Sequence, residues 1–151
     1  MILSAQTIRR LGLVSPLHER GVAHGMTFGL SACGVDLTLG ESVILPPKTQ
    51  VNSFVRERIA LPANIRGKIE NKSTLARMGI DASATTNAEP GWEGYLTVEI
   101  YNRGWWIKRL RKGTPIIQIV FEYLDEPTER PYAGKYQGQP ARAIGAILEG
   151  N

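Results

Sequence analysis

The chain has 151 residues, 42% of them hydrophobic, and a formal net charge of +4. That length suits one domain with a core of its own, and no apolar run approaches the roughly 20 residues of a membrane-spanning helix. The charge excess fits a polyphosphate ligand and is too small to mark a nucleic-acid or membrane-surface protein, while a single cysteine, Cys33, excludes an internal disulfide framework and fits a reducing compartment.

Met1-Ile2-Leu3-Ser4-Ala5 lacks a charged segment leading into an apolar one, so the expected location is the cytoplasm. Ser4 can cap a short helix over Thr7 to Leu11, and Gly12 can end it. Residues 13 to 33 look irregular. From there the pattern is mostly strand. Val35, Leu37 and Leu39 alternate with Asp36 and Thr38, which predicts a half-buried strand with its polar residues outward. Pro46-Pro47 is a turn, residues 51 to 61 read as a strand, and Pro62-Ala63-Asn64 breaks it. Ile65, Gly67 and Ile69 alternate with Arg66, Lys68 and Glu70. In Tyr95-Leu96-Thr97-Val98-Glu99-Ile100-Tyr101, the residues Leu96, Val98 and Ile100 share one face, and Thr97 and Glu99 the other. The run Asn102 to Lys112 mixes aromatics with bases. It can stack single-stranded nucleic acid, but the preferred expectation is a strand whose alternating residues pack inward. Thr114 to Leu124 is a long strand rich in Ile and Val. Many short strands separated by turn signals predict an all-β barrel or jelly roll over residues 1–124. The tail, residues 125–151, begins with a stretch of little apolar content. It is expected to order over a ligand or a neighbouring subunit.

The run Lys72-Ser73-Thr74-Leu75-Ala76-Arg77-Met78-Gly79 carries the first chemical signal. Ser73 can cap one helical turn, whose free N–H groups welcome phosphate, with Lys72 as a cation beside it and Arg77 on the same side as Ser73. The plain alternative is a capped turn between strands. Glu99, in mid-strand, is either a solvent-facing carboxylate or a general base. Glu89, in the turn Glu89-Pro90-Gly91-Trp92-Glu93-Gly94, can hold a nucleotide hydroxyl, a water or a metal-bound phosphate. Zinc deaminases need a His-x-Glu…Pro-Cys-x-x-Cys pattern. His18, His24 and Cys33 do not form it, so no protein zinc site is expected.

Taken in order, these motifs resemble the dCTP deaminase branch of the dCTP deaminase/dUTPase superfamily. Gly34-Val35-Asp36-Leu37-Thr38-Leu39-Gly40 is similar to that family's early strand, and Lys72 to Gly79 to its R-S-S-L-A-R-L-G motif. Glu89 to Gly94 and Thr97 to Asn102 resemble its D-P-G-W-x-G and L-E-x-x-N elements. Arg130-Pro131-Tyr132 and Lys135 to Gln139 resemble its tail. The resemblance implies a distorted jelly roll with a short N-terminal helix, assembled as a homotrimer with sites between subunits. It implies magnesium bound through the triphosphate of a deoxypyrimidine nucleotide, with no protein metal site. By position, Glu99 matches the catalytic glutamate, with Ser73 and Arg77 assisting. Lys72, Thr74, Leu75 and Ala76 fall in the nucleotide-binding run, Glu89, Thr97 and Val98 match further contacts, and Tyr132, Lys135 and Gln139 match tail residues that close over the nucleotide. Lys72 replaces the usual arginine and so loses bidentate phosphate geometry. The loop Asp81 to Ala88, which reads the base in the family, is one residue shorter. The segment between Gly40 and Val51 is also short, as if a strand pair were missing. These departures give the look of a compact, viral-type variant.

The implied activity is zinc-independent hydrolytic deamination of dCTP to dUTP and ammonia. The runner-up is a dUTP diphosphatase, or an enzyme that performs both steps, with Glu89 orienting water toward the α-phosphate. A non-catalytic nucleotide sensor is a third reading.

Overall fold

The computed structural model describes residues 1–85 and 87–150. Helix α1 (Ala5–Leu11) follows Ser4 at the N-cap and stops at Gly12, which takes the left-handed conformation (φ 63°) and donates its N–H to Ile8 O. The Ser4 hydroxyl lies 3.2 Å from Thr7 Oγ1 instead of capping a backbone N–H. Residues 13–33, expected to be irregular, contain β1 (Val14–Ser15), β2 (Gly21–Ala23) and β3 (Met26–Phe28). Two or three residues are too few for alternation to register in sequence.

The main framework comes from β4 (Gly34–Thr38), β5 (Val43–Leu45), β6 (Gln50–Ala60) and β7 (Ile65–Asn71), followed by helix α2 (Ser73–Arg77). It is completed by β8 (Ile80–Asp81), β9 (Asn87–Ala88), β10 (Glu93–Asn102), β11 (Lys108–Leu110) and β12 (Pro115–Tyr123). One sheet has the order β1-β6-β10-β8 and a second β4-β12-β7-β9, while β5 pairs with β11 and β2 with β3. All of these pairings are antiparallel. The result is the all-β jelly roll that the strand pattern predicts. Between the sheets lie Leu37, Leu39, Val55, Ile59, Ile65, Ile100, Ile117, Ile119 and Phe121, each essentially sealed from solvent. Burial at this scale supplies the main driving force for the fold.

Strand β7 keeps the expected alternation, with Ile65, Gly67 and Ile69 inward and Arg66, Lys68 and Glu70 outward. Strand β4 does not, because all five of its residues are buried. Its polar members are covered by charged partners. Thr38 donates from its N (2.9 Å) and its Oγ1 (2.6 Å) to the buried carboxylate of Glu57, and Asp36 Oδ2 accepts from Lys72 Nζ at 2.6 Å. Glu57 faces inward with Ser53, Val55 and Ile59 by the alternation of β6, and β6 bulges against β10 nearby, where Tyr95 pairs Arg58 and Thr97 pairs Phe54.

Trp105 and Trp106 overturn the inward-packing expectation, with relative exposures of 76% and 81%. The inward position at the end of β10 belongs to Asn102. Its side chain donates to Leu45 O and Trp106 O and accepts from Gly104 N, so the loop is shaped by satisfied polar groups and the indoles turn outward. Among the described residues no helix is long and apolar enough to cross a membrane.

Candidate nucleotide site

Strand β8 pairs with β10 only at Tyr101 and Asn102, so the rest of that β10 edge needs other hydrogen-bond partners. Two segments provide them. The chain after β8 brings Thr85 Oγ1 to the N–H of Glu99 at 3.0 Å. The tail runs alongside through a parallel bridge of Gly94 with Gln139, where Gln139 O accepts from Tyr95 N (3.0 Å) and Gln139 Oε1 from Thr97 N (3.3 Å). Between these segments and β10 opens a cavity of about 470 Å3, within the size range of small-molecule sites.

Glu99, Thr97 and Leu96 from β10 form one wall, and Gln50 and Asn52 from β6 continue it, since Asn52 is the direct pairing partner of Glu99. Thr85, Asn87, Ala88 and Glu89 form the opposite side. Tyr132, Tyr136, Gln139 and the segment Ile144-Gly145-Ala146 close over it. Leu96, read as a core residue of the Val98 face, also lines the cavity, because it sits at the bulge where β6 and β10 lose register. The tail is held by its own chain: Trp92 Nε1 donates to Tyr136 O (2.8 Å), Ile144 N to Thr97 Oγ1 (3.0 Å) and Ile147 N to the Tyr136 hydroxyl (3.0 Å).

The glycines of the turn before β10 follow from this passage. Gly91 has φ 87°, and a Cβ there would stand 2.6 Å from Pro131 Cβ; Gly94 has φ 141°, and a Cβ would stand 2.7 Å from Gln139 N. Both positions exclude a side chain by backbone conformation and by the tail's approach.

The residues singled out from sequence fall into two groups. Glu99, Glu89, Thr97, Tyr132 and Gln139 meet at the cavity. Lys72, Ser73, Thr74, Leu75, Ala76, Arg77, Val98 and Lys135 do not line it. Val98 is buried in the core, as is Leu75 beneath α2. Lys135 Nζ lies 5.7 Å over the Tyr136 ring and 3.8 Å from Glu149. Ser73, Thr74, Ala76 and Arg77 are exposed on α2. Ser73 is the first helical residue and not the cap; Lys72 holds the N-cap position, with no side-chain capping bond.

The Lys72 ammonium, read as a free phosphate-binding cation, is engaged by Asp36, and the two side chains are only 13% and 10% exposed. Burial raises the pKa of Asp36 against the opposing pull of Lys72 and Gln118. Asp81, at the end of β8, is the reverse case. Hydrogen bonds from Ser83 and Arg103 hold its carboxyl down to about 2.

Sequence reasoning missed Thr85, Gln50, Asn52, Asn87, Tyr136 and Ile144. Asn52 falls in the segment read as a strand, but its place beside Glu99 depends on register, which is a long-range property.

A family model described as dCTP deaminase-like matches residues 35–124. A Pyrococcus horikoshii protein named dCTP deaminase is 32% identical over 145 residues, covering 91% of this chain and 92% of that relative. A Persephonella marina protein named dCTP deaminase, dUMP-forming, is 37% identical over 108 residues, covering 72% of this chain and 60% of the relative. In fold, the chain is similar to the crystal structure of the Agrobacterium tumefaciens 2'-deoxycytidine 5'-triphosphate deaminase. The TM-score is 0.63 and the identity 20%, over 80% of this chain and 48% of that one. With the family model spanning more than half its length and a relative matched nearly end to end, the chain belongs to the dCTP deaminase-like family.

Proposed function

We propose that this protein is an enzyme that hydrolyses the exocyclic amine of dCTP, giving dUTP and ammonia. The observation that carries the reading is the Glu99 carboxylate, half-buried in the wall of a nucleotide-sized cavity in a chain of this family. In the reaction Glu99 takes a proton from water as the oxygen attacks C4 of the cytosine. The same carboxyl passes that proton to N3, then takes the proton of the new C4 hydroxyl and gives it to the amine, which departs as ammonia as the C4 carbonyl forms. Asn52, beside Glu99, and Asn87, across the cavity, offer amide donors and acceptors to the polar edge of the base. Tyr132, Gln139 and the strap at Ile144 exclude bulk water from the reacting centre.

Ser73 and Arg77 assist by fixing the water and balancing developing charge, and they come from a second copy of the chain. Support for this is their exposure on α2, away from the cavity of their own protomer. The assembly is then a homotrimer with sites at the seams. Magnesium enters with the triphosphate. The hard carboxylate oxygens of Glu89, at the cavity, suit a water of a hydrated magnesium ion, which keeps much of its own shell. Held there, the ion would neutralise phosphate charge and help to orient the chain of phosphates.

Glu99→Gln tests the reading. It should abolish ammonia release from dCTP while the nucleotide still binds, measured by calorimetry and an ammonia-coupled assay. Normal turnover in that variant removes the proposed base. A second reading has one observation behind it: Glu89 shares the cavity with Glu99, and a relative carries the name dUMP-forming. Pyrophosphate release from dCTP in step with ammonia would establish the bifunctional enzyme, and pyrophosphate from dUTP with no ammonia from dCTP the diphosphatase.

A further inference from the structure

The edge of β10 at Glu99 has an unusual partner. Glu99 N donates to Thr85 Oγ1 at 3.0 Å, and the Thr85 hydroxyl also donates to Glu99 Oε2. One side chain therefore grips both the backbone and the carboxylate of the same residue. Thr85 is itself fixed. It is 7% exposed, and its N–H lies 3.3 Å from Ala82 O.

The hydrogen inventory has a consequence. An amide N–H can only donate, so the Thr85 oxygen must accept there, and its single hydrogen is left for Oε2. A proton on Oε2 would make that oxygen a poorer acceptor and weaken the bond from Thr85, whereas a proton on Oε1 leaves it intact. The proton that the carboxyl gains is thereby directed to Oε1.

Resting on the reading of Glu99 as general base, we infer that Thr85 is a positioning residue for the deamination: it locks the Glu99 rotamer and makes Oε1 the oxygen that carries the proton. Other titratable side chains at the cavity are Glu89, Tyr132 and Tyr136, and the neighbours on β6, Gln50 and Asn52, are neutral. Thr85 is thus the described residue that holds the carboxylate directly. The gain is geometric, since a carboxylate free to rotate spends most of its time out of line with the water it must activate.

The test uses the full chain and dCTP with magnesium. Thr85→Val keeps the shape and removes the hydroxyl. It should lower kcat by about 10- to 100-fold, on the scale of a misplaced catalytic group, with KM within about 3-fold of the parent. Thr85→Ser restores the hydroxyl and should return kcat to within about 3-fold, a rescue that a purely structural loop anchor would not require. If Thr85→Val does not fold, Thr85→Ala is read against the same outcomes. Parental kcat in the variants lacking the hydroxyl, a loss confined to KM, or Thr85→Ser falling as far as Thr85→Val would each overturn the inference. Glu99→Gln is run in parallel. If it is inactive while Thr85→Val is normal, only the role of Thr85 falls; if it is active, the reading of Glu99 falls first and takes Thr85 with it.

Discussion

Replacing Lys72 with methionine removes the cation from a nearly dry ion pair and keeps the stem's packing. Lys72 Nζ and Asp36 Oδ2 are 2.6 Å apart, and both side chains are almost fully covered. At an effective dielectric of about 20 their attraction is roughly 6 kcal/mol, much of it offset by the cost of taking two charges out of water. The balance changes when one partner goes, because the remaining charge keeps its desolvation cost and loses its compensation. Asp36 Oδ1 already has no hydrogen-bond partner among the described residues. Lys72→Met should therefore destabilise the protein by about 3–5 kcal/mol at neutral pH.

The pH dependence follows from the direction of the Asp36 shift. Burial already raises its pKa in the native protein, and losing Lys72 raises it further. The native variant then binds a proton more tightly than its unfolded chain, so the deficit is full above the raised folded value. It shrinks as pH falls through that value toward the ordinary carboxylate range. Urea unfolding of both proteins at matched concentration, at about pH 8 and again at about pH 5, measures this. Asp36→Leu combined with Lys72→Met should recover to within about 1 kcal/mol of the parent, since a buried pair replaced by apolar groups is often neutral. A deficit under about 1 kcal/mol at neutral pH, or one indifferent to pH, would refute the reasoning.

Asp81→Asn should cost about 1–2 kcal/mol near neutrality, a figure discounted because Arg103 is largely exposed. Because the folded pKa is depressed to about 2, that contribution is complete above the unfolded value of about 3.9 and fades as pH drops toward the folded one; acid titration of the two proteins' melting temperatures checks it. Trp92→Phe keeps an aromatic ring, though a smaller one, and removes the bond from Nε1 to Tyr136 O. The tail should loosen, with limited proteolysis within residues 125–150 accelerating and KM for dCTP rising by about 3- to 10-fold, the worth of one hydrogen bond.

The helix ending at Gly12, the alternation of β7 and the long apolar β12 were legible because each depends on near neighbours: a residue tolerant of positive φ, a period of two, a run of β-branched side chains. The acidic residue at 99 and the turn from Glu89 to Gly94 stood out through their resemblance to family motifs, since local pattern alone left Glu99 as either a solvent-facing carboxylate or a general base. Other features depend on what arrives from far along the chain. Asp36 and Thr38 look like surface residues until Lys72 and Glu57 cover them. Trp105 and Trp106 look like core until Asn102 takes the inward place. Local sequence determined which segments are strands and which side chains carry reactive groups. Tertiary structure alone decided that Thr85 and Asn52 flank Glu99, that the tail closes over the cavity of its own protomer and that Ser73 and Arg77 lie elsewhere, because strand register and the course of a tail are set by contacts between residues dozens of positions apart.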